Sequence, residues 1–232
     1  MGGDVIDATP NRFRDRTDAG RRLGERLAEV VRPAEGVVIG LARGGVPVAA
    51  EVSAALALPL DVLTVRKLGV PDRPELAFGA VASGGHQVLN RDVIEWSRVD
   101  PVTIERVRDE QVRVLDQRER AYRPGMAPVD VAGTTVILVD DGLATGATMA
   151  VAIASVRARK AARVVVAVPV ASPVTCAMVA ARAELVVCLV QPEAFNAVGA
   201  WYEAFPEVTD DEVRAALRTA NGSSDRAERA GP

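Results

Sequence analysis

Two adjacent carboxylates, Asp140 and Asp141, stand between a strand-like run and a turn of small residues in the segment 136–148, VILVDDGLATGAT. Adjacent acids where a strand ends present acceptor oxygens side by side, and vicinal sugar hydroxyls meet that demand. The turn that follows, Ala144, Thr145, Gly146, Ala147 and Thr148, is small enough for its backbone to close round an anion. Gly146 tolerates unusual backbone angles, and the two threonines add hydroxyl donors. Together these residue types make the chemistry of a sugar phosphate site.

The flanking elements have to place that chemistry. Residues 136–139 are an apolar, β-branched run suited to a buried parallel strand, and 146–155 read as a helix rich in Ala, Val and Ile. The polar residues then fall at the strand's carboxyl end. Open α/β sheets hold ligands at that edge, and a helix N-terminus there offers unpaired N–H groups to a phosphate. A second turn of the same kind follows the strand at 36–41 (GVVIGL), with Ala42, Arg43, Gly44 and Gly45 ahead of a helix carrying Pro47 in its first turn. Gly44 and Gly45 permit close backbone approach, and Arg43 supplies a charged fork for phosphate oxygens. A third strand, 60–66, is expected to end at Arg66 and Lys67. Residues 69–75, with Gly69, Pro71 and Pro74, suit an irregular lid able to exclude water. Glu75 within it either accepts a proton from a bound base or caps the strand expected at 77–81.

Four apolar residues, two acids and a small Thr-Gly-x-Thr turn resemble the phosphoribosyl pyrophosphate (PRPP) signature of type I phosphoribosyltransferases. The resemblance spans about residues 13–212 and extends to RGGVPVA, RKLGVPDRPELAFGAV and FNAVGAWYEAF. It implies an α/β fold with a central, mostly parallel sheet flanked by helices, a small hood near 67–90 and 192–208, and a long charged helix inserted. It implies that Asp140 and Asp141 hold the ribose 2- and 3-hydroxyls and serve Mg²⁺ directly or through water, while residues 144–148 wrap the 5-phosphate. Residues 41–45 map onto the pyrophosphate loop, which in that family often holds a non-proline cis peptide. Arg66 and Lys67 become candidates for pyrophosphate contacts. The implied reaction is a pentosyltransferase of the EC 2.4.2 kind, moving 5-phosphoribosyl from PRPP to a nucleobase-like acceptor. Ala144 stands where 6-oxopurine enzymes usually carry an Asp, which lowers hypoxanthine and guanine as acceptors.

The remaining features agree with a single such domain. At 232 residues and 49% hydrophobic content the chain has ample core, and a net charge of −3 provides no broad basic surface for nucleic acid. Expected partners are small molecules, PRPP and an acceptor base, with no nucleic acid and no membrane; a homodimer is left open. The first residues lack an apolar signal segment. The apolar stretch 164–190 is broken by Pro169, Pro173, Arg182 and Glu184, so it reads as strand, helix, strand. A cytoplasmic location is expected, with Cys176 and Cys188 as reduced core thiols and His86 as a loop residue.

Along the chain, residues 1–14 read as irregular and 17–31 as an amphipathic helix with Ala19, Leu23, Leu27 and Val30 on its inner stripe. A helix at 91–97 precedes a charged one at 102–122 with Ile104, Val107, Val114, Leu115 and Tyr122 inward. A further βαβ unit occupies 163–190. Four of the eight aromatic residues, Phe195, Trp201, Tyr202 and Phe205, gather in eleven positions, either to stack on a flat acceptor or to pin the tail. Residues 221–232 are expected to be disordered. A different class of reading is a PRPP- or nucleotide-sensing module without efficient turnover. A generic nucleotide-binding domain lacks both a GxGxxG fingerprint and a GxxxxGK[ST] loop.

Overall fold

The computed structural model describes residues 12–31 and 36–229, without the side chains of 74 and 223–229. In chain order the elements are α1 (Arg16–Val30), β1 (Gly36–Leu41), α2 (Gly45–Leu56), β2 (Leu60–Leu63), β3 (Val65–Val70), β4 (Arg73–Ala82), β5 (Gln87–Leu89), α3 (Arg91–Ser97), α4 (Pro101–Tyr122), β6 (Thr135–Val139), α5 (Ala147–Ala158), β7 (Arg163–Val170), α6 (Pro173–Ala180), β8 (Leu185–Val190) and α7 (Asp210–Arg229). Five strands form a parallel sheet in the order β2-β1-β6-β7-β8, and β3-β4-β5 form a separate antiparallel sheet.

The apolar runs explain the central sheet. Val37, Ile39, Val136 and Leu138 face one layer with Met149, Ile153 and Val156 of α5, while Val38, Ile137 and Val139 face Leu23 and Leu27 of α1 and Val48 and Val52 of α2. Both faces are covered, so both alternate sets are apolar. β1 and β6 pair in register from Gly36 with Thr135 to Gly40 with Val139. Their carboxyl ends therefore emerge side by side, and the two turns identified from sequence open on one edge.

Several expectations are corrected. The strand read at 60–66 breaks at Thr64, so Arg66 and Lys67 belong to β3 in the second sheet and do not end a core strand. Residues 69–75 are a β-hairpin and not an irregular lid. Pro71 sits in its two-residue turn, and the register shifts between Gly69 and Val70 leave 74–76 bulged from the ladder. Buried Leu68, Val70, Phe78 and Val81 hold the hairpin against Val107 and Leu115 of α4, a packing force that the proline spacing conceals.

The expected disordered tail is instead helical through residue 229, and residues 230–232 lie outside the described residues. Val213 and Leu217 seat α7 on the core, and the Asn221 amide donates to Leu60 O at 3.0 Å and accepts from Leu60 N at 3.3 Å. On α1, Val30 is exposed, whereas Ala19, Leu23 and Leu27 are buried. On α4, Val114 is exposed and Glu119 is buried. Glu119 accepts from Thr64 N at 2.7 Å, from the Ser83 hydroxyl and from Arg123 at 2.9 Å, while Arg123 also binds Asp61 at 2.6 Å. This buried network ties α4 to the hinge between the two sheets. No helix among the described residues is long and apolar enough to cross a membrane.

Candidate active site

β6 delivers Asp140 and Asp141 to the sheet edge, where Asp140 Oδ1 accepts from Asp141 N at 2.9 Å. Leu143 N donates to Val170 O at 2.9 Å, which pins the start of the turn to β7. Gly146 then takes a positive φ of 71° and caps α5. A side chain there would meet Met178 and Thr175 of α6, a second reason for glycine besides its φ. Thr175 Oγ1 donates to Ala144 O at 3.0 Å, while Ala144, Thr145, Ala147 and Thr148 stay exposed around the N-terminus of α5. The turn is buttressed behind and open in front, as an anion cradle requires.

The turn after β1 contains a cis peptide between Ala42 and Arg43. Gly44 and Gly45 follow it directly against the acidic pair. A Cβ on Gly44 would collide with Asp141 Oδ2, and one on Gly45 would lie 2.6 Å from Val139 O and 2.8 Å from Asp140 Cα. The two turns are thus in contact through the carboxylates.

Sequence reasoning missed Arg16, Pro206 and Glu207, which complete this edge together with Arg43 and Tyr202. Arg16, first residue of α1, sends Nε and Nη2 to Asp141 Oδ2 at 2.9 and 2.8 Å and Nη1 to Pro206 O at 2.7 Å. Its guanidinium lies 3.8 Å from the Phe205 ring centre. The Tyr202 hydroxyl donates to Asp141 O at 2.6 Å, and Arg43 pairs with Glu207. Residues 201–208 thereby cross the site as a strap. Its other end is fixed by Phe13, which lies just inside the segment read as irregular. Phe13 N donates to Trp201 O at 2.9 Å and Phe13 O accepts from Glu203 N at 2.8 Å; residues 1–11 of that segment lie outside the described residues. Of the clustered aromatics, Tyr202 is buried between Phe13 and Phe205, with ring centres at 5.4 and 4.8 Å, which is the pinning role.

Burial first, and the Asp141 carboxylate second, push the Asp140 carboxyl well above the ordinary carboxylate range. Burial also raises Asp141, and Arg16 pulls it part of the way back. Each acid commits one oxygen, Asp140 Oδ1 to Asp141 N and Asp141 Oδ2 to Arg16. Asp140 Oδ2 and Asp141 Oδ1 have no hydrogen-bond partner among the described residues. Two free acceptors match two vicinal hydroxyls. They also suit Mg²⁺, which usually takes one or two carboxylates and completes its shell with water and substrate phosphate; no group of three metal-ligating side chains occurs among the described residues.

Of the other expected site residues, Arg66 and Glu75 lie apart from this edge, while Lys67 borders its 144–148 turn. Arg66 is exposed on β3, and Glu75 is exposed in the hairpin bulge without a hydrogen bond or ion pair among the described residues. Lys67 lines a cavity of about 400 Å³ between the second sheet and α5, together with Ala147 and Thr148 of the 144–148 turn. Arg43, Gly44 and Asp141 share a different cavity of about 540 Å³ with Arg16, Phe205 and Glu207.

A sequence family described as the phosphoribosyl transferase domain matches residues 17–198. This chain belongs to that family. The phosphoribosyl transferase domain here is 47% identical over 209 residues to two Mycobacterium tuberculosis proteins whose names propose a phosphoribosyl transferase. The match covers 90% of this chain and 47% of each relative, so the chain spans about half the length of those curated relatives. The crystal structure of the Thermus thermophilus protein TT1426 is 48% identical, with a TM-score of 0.77 over 89% of this chain and 97% of that one. The type I phosphoribosyltransferase fold is therefore that of this chain.

Proposed function

We propose that this phosphoribosyl transferase domain moves a 5-phosphoribosyl group from PRPP to a nucleobase-like acceptor and releases pyrophosphate. The observation that carries the reading is the packing of Gly44 and Gly45 against Asp140 and Asp141. It joins two anion-binding turns to one acidic pair, the layout demanded by a sugar with a phosphate at each end. The 144–148 turn takes the 5-phosphate and the free oxygens of Asp140 and Asp141 take the ribose hydroxyls. The 42–45 turn, with Arg43, takes pyrophosphate. Lys67, beside Thr148, and Arg66 are charges on the second sheet that reach pyrophosphate only if β3 and β4 close over the edge. Glu75 travels with the same hairpin as the candidate acceptor of the base's proton.

The chemistry needs no protein nucleophile. The C1–O bond breaks with its electron pair leaving on pyrophosphate, an acceptor nitrogen supplies the pair for the new C1–N bond, and that nitrogen then loses its proton. Positive charge grows on the ribose and negative charge on the leaving group, so fixed charges and fixed geometry supply the catalysis. Mg²⁺, held with the substrate by Asp140 and Asp141 directly or through water, would supply positive charge to offset that of the leaving pyrophosphate.

The test is pyrophosphate release from PRPP and Mg²⁺ across purine, pyrimidine and related acceptors. The parent is expected to release it with at least one acceptor, and Asp140→Asn with Asp141→Asn to abolish release while keeping the parental circular dichroism. Undiminished release by the double variant would sink the assignment. One observation favours the sensing alternative: Arg43 and Asp141 are both already paired within the chain. Tight PRPP binding without release for any acceptor would decide for it.

A further inference from the structure

Arg16 lies 125 residues upstream of the acidic pair and outside every motif that pointed to the site. It is 9% exposed, and it bridges two separate parts of the chain through three residues, Asp141, Phe205 and Pro206. Its Nε and Nη2 hold Asp141 Oδ2 at 2.9 and 2.8 Å, its Nη1 holds Pro206 O at 2.7 Å, and its flat face rests on Phe205. A guanidinium so placed fixes a carboxylate more narrowly than a single donor does, because its fork is rigid and its stacking sets the plane.

We propose that Arg16 is a positioning residue for ribose: acting through Asp141, it leaves that carboxylate one free oxygen for a sugar hydroxyl and couples the seat to the strap 201–208. The proposal rests on the transferase reading. By consuming Oδ2, Arg16 confines hydroxyl recognition to Asp141 Oδ1 and Asp140 Oδ2. It also sets a cation beside two adjacent acids that would otherwise repel each other in a half-buried site. The strap gives the arrangement its other anchor, since Phe205 and Pro206 hold the guanidinium where Asp141 needs it. Arg43 lines the same cavity but pairs with Glu207, so Arg16 reaches the pyrophosphate turn only indirectly, through the strap and Asp141.

The experiment is titration calorimetry with ribose 5-phosphate and, separately, with inorganic pyrophosphate, both in Mg²⁺ buffer. PRPP binding is measured on the parent as a control. Arg16→Gln is expected to weaken ribose 5-phosphate by about tenfold or more, the scale of a lost charged hydrogen bond, and not to weaken pyrophosphate. Arg16→Lys, which keeps the charge but not the fork, should fall between parent and Arg16→Gln. Phe205→Ala removes only the stacking partner and should weaken ribose 5-phosphate in the same direction by less. Phe205 is 37% exposed, so this variant also serves if Arg16 variants fail to fold. Unchanged ribose 5-phosphate affinity in the folded variants overturns the proposal, as does equal weakening of both ligands, which marks a merely structural role. A parent that binds neither PRPP nor ribose 5-phosphate overturns the transferase reading as well, whereas a parent that binds both and is matched by Arg16→Gln overturns this proposal alone.

Discussion

Asp140 shows what a buried carboxylate beside a second acid does to the protein that carries it. Burial and the neighbouring acid raise its pKa, so the folded chain holds that proton more tightly than the unfolded chain does. Folding is then favoured below the unfolded carboxylate value of about 3.9, and that advantage is lost as pH rises through the raised folded value. Asp140→Asn should therefore stabilise the metal-free protein at pH 7 by about 0.5–2 kcal/mol, the scale of trade-offs between function and stability. The gain should vanish near pH 3.5, where the parental acid is protonated in both states. Thermal melts of both proteins at the two pH values check this; a gain that is the same at both would refute the cause given. The acids and both turns were legible because strand, acid and glycine are contiguous in the chain. Arg16 and Glu207 were not, and Tyr202 was legible only as one of four clustered aromatics, because nothing in local spacing reports a partner more than sixty positions away.

At the scale of elements, the strap 201–208 and the β3–β4 hairpin are the parts that would rearrange around substrate. The strap already places the Glu207 carboxylate on Arg43, so on the proposed reading an incoming pyrophosphate would displace it. Glu207 is largely exposed, and the pair is worth little in water. Glu207→Gln is expected to tighten PRPP binding by about two- to fivefold, measured by equilibrium titration; weaker binding would mean that Glu207 serves the substrate. The strands of the central sheet could be placed from their apolar runs because both faces are buried. The hairpin could not, since its two prolines and glycine suggest irregular chain, while the pairing that overrides them comes from burial of Leu68, Val70 and Phe78 against α4.

Over the whole molecule, two sheets are joined at Thr64, and the buried Asp61–Arg123–Glu119 network braces that joint. Glu119→Ala would strip one partner from a buried guanidinium and leave Thr64 N and the Ser83 hydroxyl without their acceptor. The expected cost is roughly 3–5 kcal/mol in denaturant unfolding; a cost below about 1 kcal/mol, the value of an exposed pair, would show that the network is not structural. On α4 Glu119 did not stand out among the charged residues, because a buried glutamate looks like its exposed neighbours until its partners Thr64, Ser83 and Arg123 are placed around it. The helical end of the chain was hidden for a similar reason: Asn221 and Gly222 disfavour helix locally, and docking of Val213, Leu217 and Asn221 overrides them.

The central claim is that two anion turns flank one acidic pair and hold a single sugar between them. Crystals of the protein soaked with PRPP and Mg²⁺ test it most directly. The 5-phosphate should lie on the backbone N–H groups of 144–148, the pyrophosphate on residues 42–45, and the ribose hydroxyls within hydrogen-bond reach of Asp140 Oδ2 and Asp141 Oδ1. PRPP found elsewhere on the chain, or seated with its hydroxyls turned away from both acids, would contradict the account.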